Sequence, residues 1–242
     1  MIDRRALGAF LVITFAFSWP LFLAPLLLRS AGPREIQLIT VGFWAVGMWG
    51  PGLAALVTTE VVLRQRPSTL HLNRLGPKRF YLWAWFLPPI LALLGGLFTL
   101  YFGLARFDRE FTLMRGTLAA MSGDTNLPAG ALVAIQFAFA VLLAPFINVP
   151  FALGEELGWR GFLLPHLMPL GHTKSIWAAA LAHGSVNAAA GLPLLFLQPG
   201  FNLALGGTLA TPPAWIGMGL FIAWLMITKR LPVKEREQEE RQ

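Results

Sequence analysis

The chain has 242 residues, 56% of them apolar and only 13% charged, which excludes an ordinary water-soluble domain and points to a polytopic membrane protein. It contains no cysteine, which excludes disulfides, thiolate metal sites and a cysteine nucleophile and leaves the redox compartment open. The net charge is +7, but the basic residues lie between apolar runs and not along one soluble face, so nucleic acid is excluded as a partner and the bilayer is implied.

A basic start, residues 1–5, precedes an uncharged run of 23 residues, 6–28, long enough to cross about 30 Å of hydrocarbon as a helix. A cleaved signal peptide is the rival reading, but the run is long for one and Arg29-Ser30-Ala31-Gly32 is a poor cleavage site. The second span covers 36–63, with a kink at Pro51-Gly52 and with Glu60 near its boundary. Residues 64–79 hold five basic residues and two prolines without apolar periodicity, a loop at the membrane surface. The third span, 80–105, carries Trp83 and Trp85 for the interfacial aromatic belt and a bend at Pro88-Pro89.

Residues 106–126 alternate charged and apolar positions and read equally as an amphipathic surface helix or a plain loop. The fourth span starts near Leu127 and ends by Leu164, too long to be embedded throughout, with Asn148 and Pro150 as points of bending. The fifth runs over 175–192, an uncharged Pro- and Gly-rich linker follows, and the sixth covers 211–228 before a charged tail, 229–242. The expected architecture is therefore all-α, a single transmembrane helical bundle of about six spans over 1–242, with the polar motifs in region 127–192. With the N-terminus inside, thirteen Lys and Arg fall on the inner side against five outside, Arg160 lying within a span, which puts both termini in the cytoplasm.

Within these spans one stretch is unusual: after thirty uncharged residues, 125–154, come Glu155 and Glu156, then Arg160. An ionisable group near the bilayer centre costs roughly 2.5–3.5 kcal/mol, so a functional site is the default reading. Glu156 and Arg160, four apart, share a helical face and can pair, while Glu155 sits about 100° round and stays available. A structural ion pair is an equal alternative for Glu156 and Arg160. In the fifth span His183 and Asn187 are again four apart; alone, such a pair reads as interhelical hydrogen bonding worth about 0.6 kcal/mol. Gly154 and Gly158 on one segment, and Ala180, Gly184 and Ala188 on the other, are small residues at four-residue spacing that allow the two segments to approach.

The motif Glu155-Glu156-x-x-x-Arg160 with its Gly-Phe-Leu-Leu-Pro tail, followed by His183-x-x-x-Asn187 with Trp177 and an Ala-rich run before it, resembles the CPBP intramembrane endopeptidases, the CAAX proteases and bacteriocin-processing enzymes that include type II CAAX prenyl endopeptidases. That resemblance implies a bacterial inner-membrane protein that hydrolyses a peptide bond in a peptide or lipidated protein substrate. It implies Glu155 as the base that activates water, His183 and Asn187 as oxyanion donors, and Glu156 and Arg160 as positioning residues. The family's middle motif, Phe-x-x-x-His on its own helix, has no counterpart between Pro165 and Trp177, which only eleven residues separate. Phe162 and His166 spell it, but within the tail of the first motif, after which Pro165 disfavours helix; His166, with His71 and His172, is expected at the surface or boundary. Six spans against the family's eight fits the loss of that helix and one neighbour.

The family's description as metalloproteases implies a divalent metal such as zinc, with Glu155 and His183 as candidate ligands. Against it, Glu155, Glu156 and His183 are at most three conventional ligands, and Arg160 competes for one; catalytic zinc uses about three plus an open position. The runner-up function is a non-catalytic relative, a membrane scaffold or bacteriocin-immunity factor, favoured by the missing middle motif. A small-solute transporter would want paired repeats, and the chain has none.

Overall fold

The computed structural model describes residues 3–27, 33–70, 72–73, 75–116, 127–167 and 175–228. His71, His172, the stretch 29–32, residues 117–126 and the charged tail 229–242 lie outside the described residues. Regular structure among the described residues is helical, apart from one isolated β-bridge between Phe107 and Leu197. Five helical runs are long and apolar enough to cross a membrane: α1 (Arg4–Leu27), α2 (Glu35–Val62), α3 (Arg79–Tyr101), α4 (Ala129–His166) and α5 (Ile176–Phe196). A sixth apolar helix, α6 (Pro212–Ile227), has 16 residues, just short of the length of a full span. Large apolar side chains stand outward along these helices, among them Leu27 on α1, Leu38 on α2 and Ile227 on α6. Such continuous apolar exposure suits lipid and not water, and the chain is an all-α integral membrane protein.

Contacts divide the chain into two compact units, Met1–Trp85 with Leu143–Asn187, and Phe86–Leu142 with Ala188–Gln242. In the first unit the core is Ala6 and Phe10 of α1, Ala54 and Ala55 of α2, Leu157 and Phe162 of α4, and Ile176 of α5. Phe10 stacks on Phe162 at 4.9 Å and meets Trp159 edge-on at 5.8 Å. The kink expected at Pro51-Gly52 has a clear cause: Pro51 lacks the N–H that would bond the carbonyl four residues back, that of Gly47. Ser18 of α1 donates to this freed carbonyl at 2.8 Å, so the break leaves no unsatisfied acceptor.

The second unit is built around Ala92 of α3, Ala140 of α4, and Ala189 and Leu192 of α5. Thr99 donates to Gly95 O at 2.8 Å and accepts from Gly207 N–H at 3.2 Å, where a φ of +89° requires glycine. Of 106–126, the described part is irregular up to Phe111 and helical over 112–116. Asp108 N donates to Phe196 O and Gln198 N to Arg106 O, both at 2.9 Å, and the Asp108 carboxylate caps a helical turn at 112–116 through Thr112 N.

Candidate functional site

Glu155 and Glu156 end the α-helical stretch Ala144–Glu156 of α4, and Arg160 falls in the π-helical stretch Leu157–Leu163 that follows. Similar π-helical stretches occur at Thr58–Val62 of α2 and Phe139–Leu143 of α4, so the widening does not by itself mark the site. The Glu156 side chain is only 5% exposed and has a partner on each oxygen. Oε2 pairs with Arg160, and Oε1 faces His183 Nδ1 of α5 at 3.1 Å. A carboxylate only accepts, so Nδ1 carries the proton, and Nε2 is the nitrogen turned to Glu155, whose Oε2 lies 3.9 Å away. Glu155, a quarter exposed, makes no hydrogen bond among the described residues. The structure thus brings four of the five sequence-derived residues together as a chain: Arg160, Glu156, His183, Glu155.

Asn187 does not join them. It is exposed, one turn beyond His183, and makes no hydrogen bond among the described residues. His166 is also elsewhere engaged: its ring stacks on Phe162 at 4.2 Å and its Nδ1 donates to Phe162 O at 2.7 Å. No hydrogen bond or ion pair links it to Glu155 or His183.

The small residues position the site differently from expectation. Gly154 and Gly158 pack on α2 and not on α5: a Cβ on Gly154 would lie 2.9 Å from Trp49 Cα, and one on Gly158 would lie 2.7 Å from Pro51 O. The reason is helical geometry, because each glycine is two residues from Glu156 and so lies on nearly the opposite face. Gly184 serves the approach of α5 to α4, where a Cβ would come within 2.7 Å of Pro145 O and 3.2 Å of Val149 N. The glycine stripe holds α4 on the kinked α2, which leaves the Glu156 face free to meet His183.

Two further contacts fix the start of α5, and no polar pattern in the sequence links them. Trp177 Nε1 donates to Leu72 O at 2.8 Å. Tyr81 gives its only proton to Leu75 O at 2.6 Å, so Ser175, 3.2 Å away, donates to the Tyr81 oxygen. Asn148, expected as a point of bending, donates back to Ala144 O at 2.8 Å and walls the crossing at Gly184.

Zinc does not fit these residues. Both oxygens of Glu156 are committed, which leaves Glu155 and His183 Nε2 as two donors where about three are needed. Among the described residues no group of three His, Asp or Glu is arranged to hold a metal ion. No family model, curated protein or solved structure matches the chain, so what the site can do rests on its own geometry.

Proposed function

We propose that the chain is an intramembrane endopeptidase, similar in its motifs to the CPBP family, that hydrolyses peptides or lipidated protein tails. The observation that carries this reading is the 3.9 Å separation between Glu155 Oε2 and His183 Nε2: too long for a direct hydrogen bond, it suits one water held between two acceptors. Glu155 takes a proton from that water, the oxygen attacks the scissile carbonyl carbon, and the proton passes to the departing amine nitrogen. The Asn187 amide supplies a donor for the oxyanion, a role worth roughly 2.7–4 kcal/mol for one donor, while His183, whose proton is on Nδ1, accepts from the water through Nε2 in place of donating to the oxyanion. Glu156 and Arg160 hold the imidazole in place. No metal takes part, and cleavage is expected to survive a chelator. The reading includes a bacterial inner membrane, which the resemblance implies, and cytoplasmic termini, from the distribution of Lys and Arg.

A second reading, a non-catalytic membrane scaffold or bacteriocin-immunity factor, is favoured by His166, whose ring is engaged with Phe162 in place of the cluster. The test is cleavage of a farnesylated CAAX peptide and a pooled membrane-peptide library by purified protein, beside Glu155→Gln and His183→Ala. Cleavage that falls at least about 100-fold in both variants supports the peptidase. An unmutated protein as silent as the variants, with all three equally well folded, leaves the scaffold reading.

A further inference from the structure

The first unit also carries an open groove of about 610 Å³ lined from α3, α4 and α5, within the range of about 300–1,000 Å³ usual for ligand sites. Leu82, Trp85, Phe146 and Leu181 form its walls, together with Lys78 and Arg79. Its surface is almost wholly apolar, so the two cations line it with their hydrocarbon stems while both residues remain exposed. Neither has an acidic partner among the described residues; the Arg79 guanidinium lies 5.2 Å over the exposed Phe80 ring. The walls are held in place, Trp85 edge-on to Phe146 at 4.7 Å and Tyr81 tied to Leu75 and Ser175.

We propose that this groove binds an anionic phospholipid, with its phosphate on Lys78 and Arg79 and an acyl chain along Leu82, Trp85, Phe146 and Leu181. An apolar groove in a membrane protein accepts any acyl chain; two unpaired cations at one end make the choice depend on headgroup charge. At about 1 kcal/mol for each basic residue near an anionic surface, the preference over a zwitterionic headgroup is roughly thirty-fold. This site does not depend on the peptidase reading, since none of its residues belongs to the Glu155–His183 cluster.

The experiment incubates purified full-length protein in mixed micelles with phosphatidylglycerol and phosphatidylcholine of identical acyl chains and quantifies the lipid retained after gel filtration. Phosphatidylglycerol is expected to be enriched at least about tenfold. The exposed double variant Lys78→Gln/Arg79→Gln should abolish that enrichment with an unchanged Tm in lipid-free detergent, while Arg4→Gln/Arg5→Gln should retain it. Equal retention of the two lipids by the unmutated protein would mean ordinary annular lipid and overturn the proposal. So would enrichment that survives the Lys78/Arg79 variant, an equal loss in the Arg4/Arg5 variant, or a Tm increase with inorganic phosphate alone as large as that with phosphatidylglycerol.

Discussion

The two compact units use the same means of close packing and differ in what they pack. In the second unit Gly95 faces Ala214, Gly96 faces Pro193 and Gly206 faces Thr99, each too close for an added Cβ. In the first, Gly154 and Gly158 face α2 and Gly184 faces α4 just as tightly. Close approach through glycine therefore reports helix packing and does not by itself mark a site. What separates the units is ion pairing. The first holds a carboxylate 5% exposed, paired with a guanidinium and an imidazole, while the second has no ion pair among its described residues: its buried Asp108 carboxylate accepts from Thr112 and the Glu110 N–H, and the Thr99 hydroxyl satisfies its interior. In a low-dielectric environment a cluster of this kind is costly to assemble, so its presence in one unit alone directs the functional reading there.

The strongest way to break this comparison is Gly158→Leu. The side chain would meet the Pro51 backbone, which cannot move aside as a flexible side chain can, and a loss of about 3 kcal/mol or more is expected, read as loss of folded, monodisperse protein in detergent. Gly130→Leu, with nothing near its Cβ, should stay within about 0.5 kcal/mol. Next comes Glu156→Leu, which strands Arg160 and His183. We expect a loss of about 2 kcal/mol in reversible detergent unfolding, below the 3–5 kcal/mol of a fully buried pair because Arg160 is 44% exposed. Glu155→Leu should shift the same measurement by under about 0.5 kcal/mol, since Glu155 has no hydrogen bond to lose; equal effects at the two positions would erase the distinction between a structural and an available acid.

In the second unit, Thr99→Val removes one donor and one acceptor and should cost about 1 kcal/mol by thermal unfolding. The smallest effect on stability belongs to Asn187→Ala, under about 0.5 kcal/mol because the side chain is exposed and unbonded. Yet the peptidase proposal requires the same variant to lower cleavage about 100-fold or more. A variant that is stable and still fully active removes Asn187 from the mechanism.

Much of this molecule is determined by short-range pattern. Uncharged runs of spanning length fix where α1 to α5 lie, because hydrocarbon tolerates only backbone that bonds within its own segment. Pro51 fixes the break in α2, and four-residue spacing fixes the Glu156–Arg160 pair. Even the true direction of the glycine stripe was legible, since Gly154 and Gly158 sit two residues from Glu156 and cannot share its face. Tertiary structure alone decided the rest. That Ser18 caps the carbonyl freed by Pro51, that α4 widens after Glu156, and that His183 turns Nδ1 to Glu156 and Nε2 to Glu155 all depend on residues from 27 to 29 positions apart or on the local winding of the helix. Helical periodicity says which residues share a face; which face meets which neighbour, and at what distance, is set by how the helices pack.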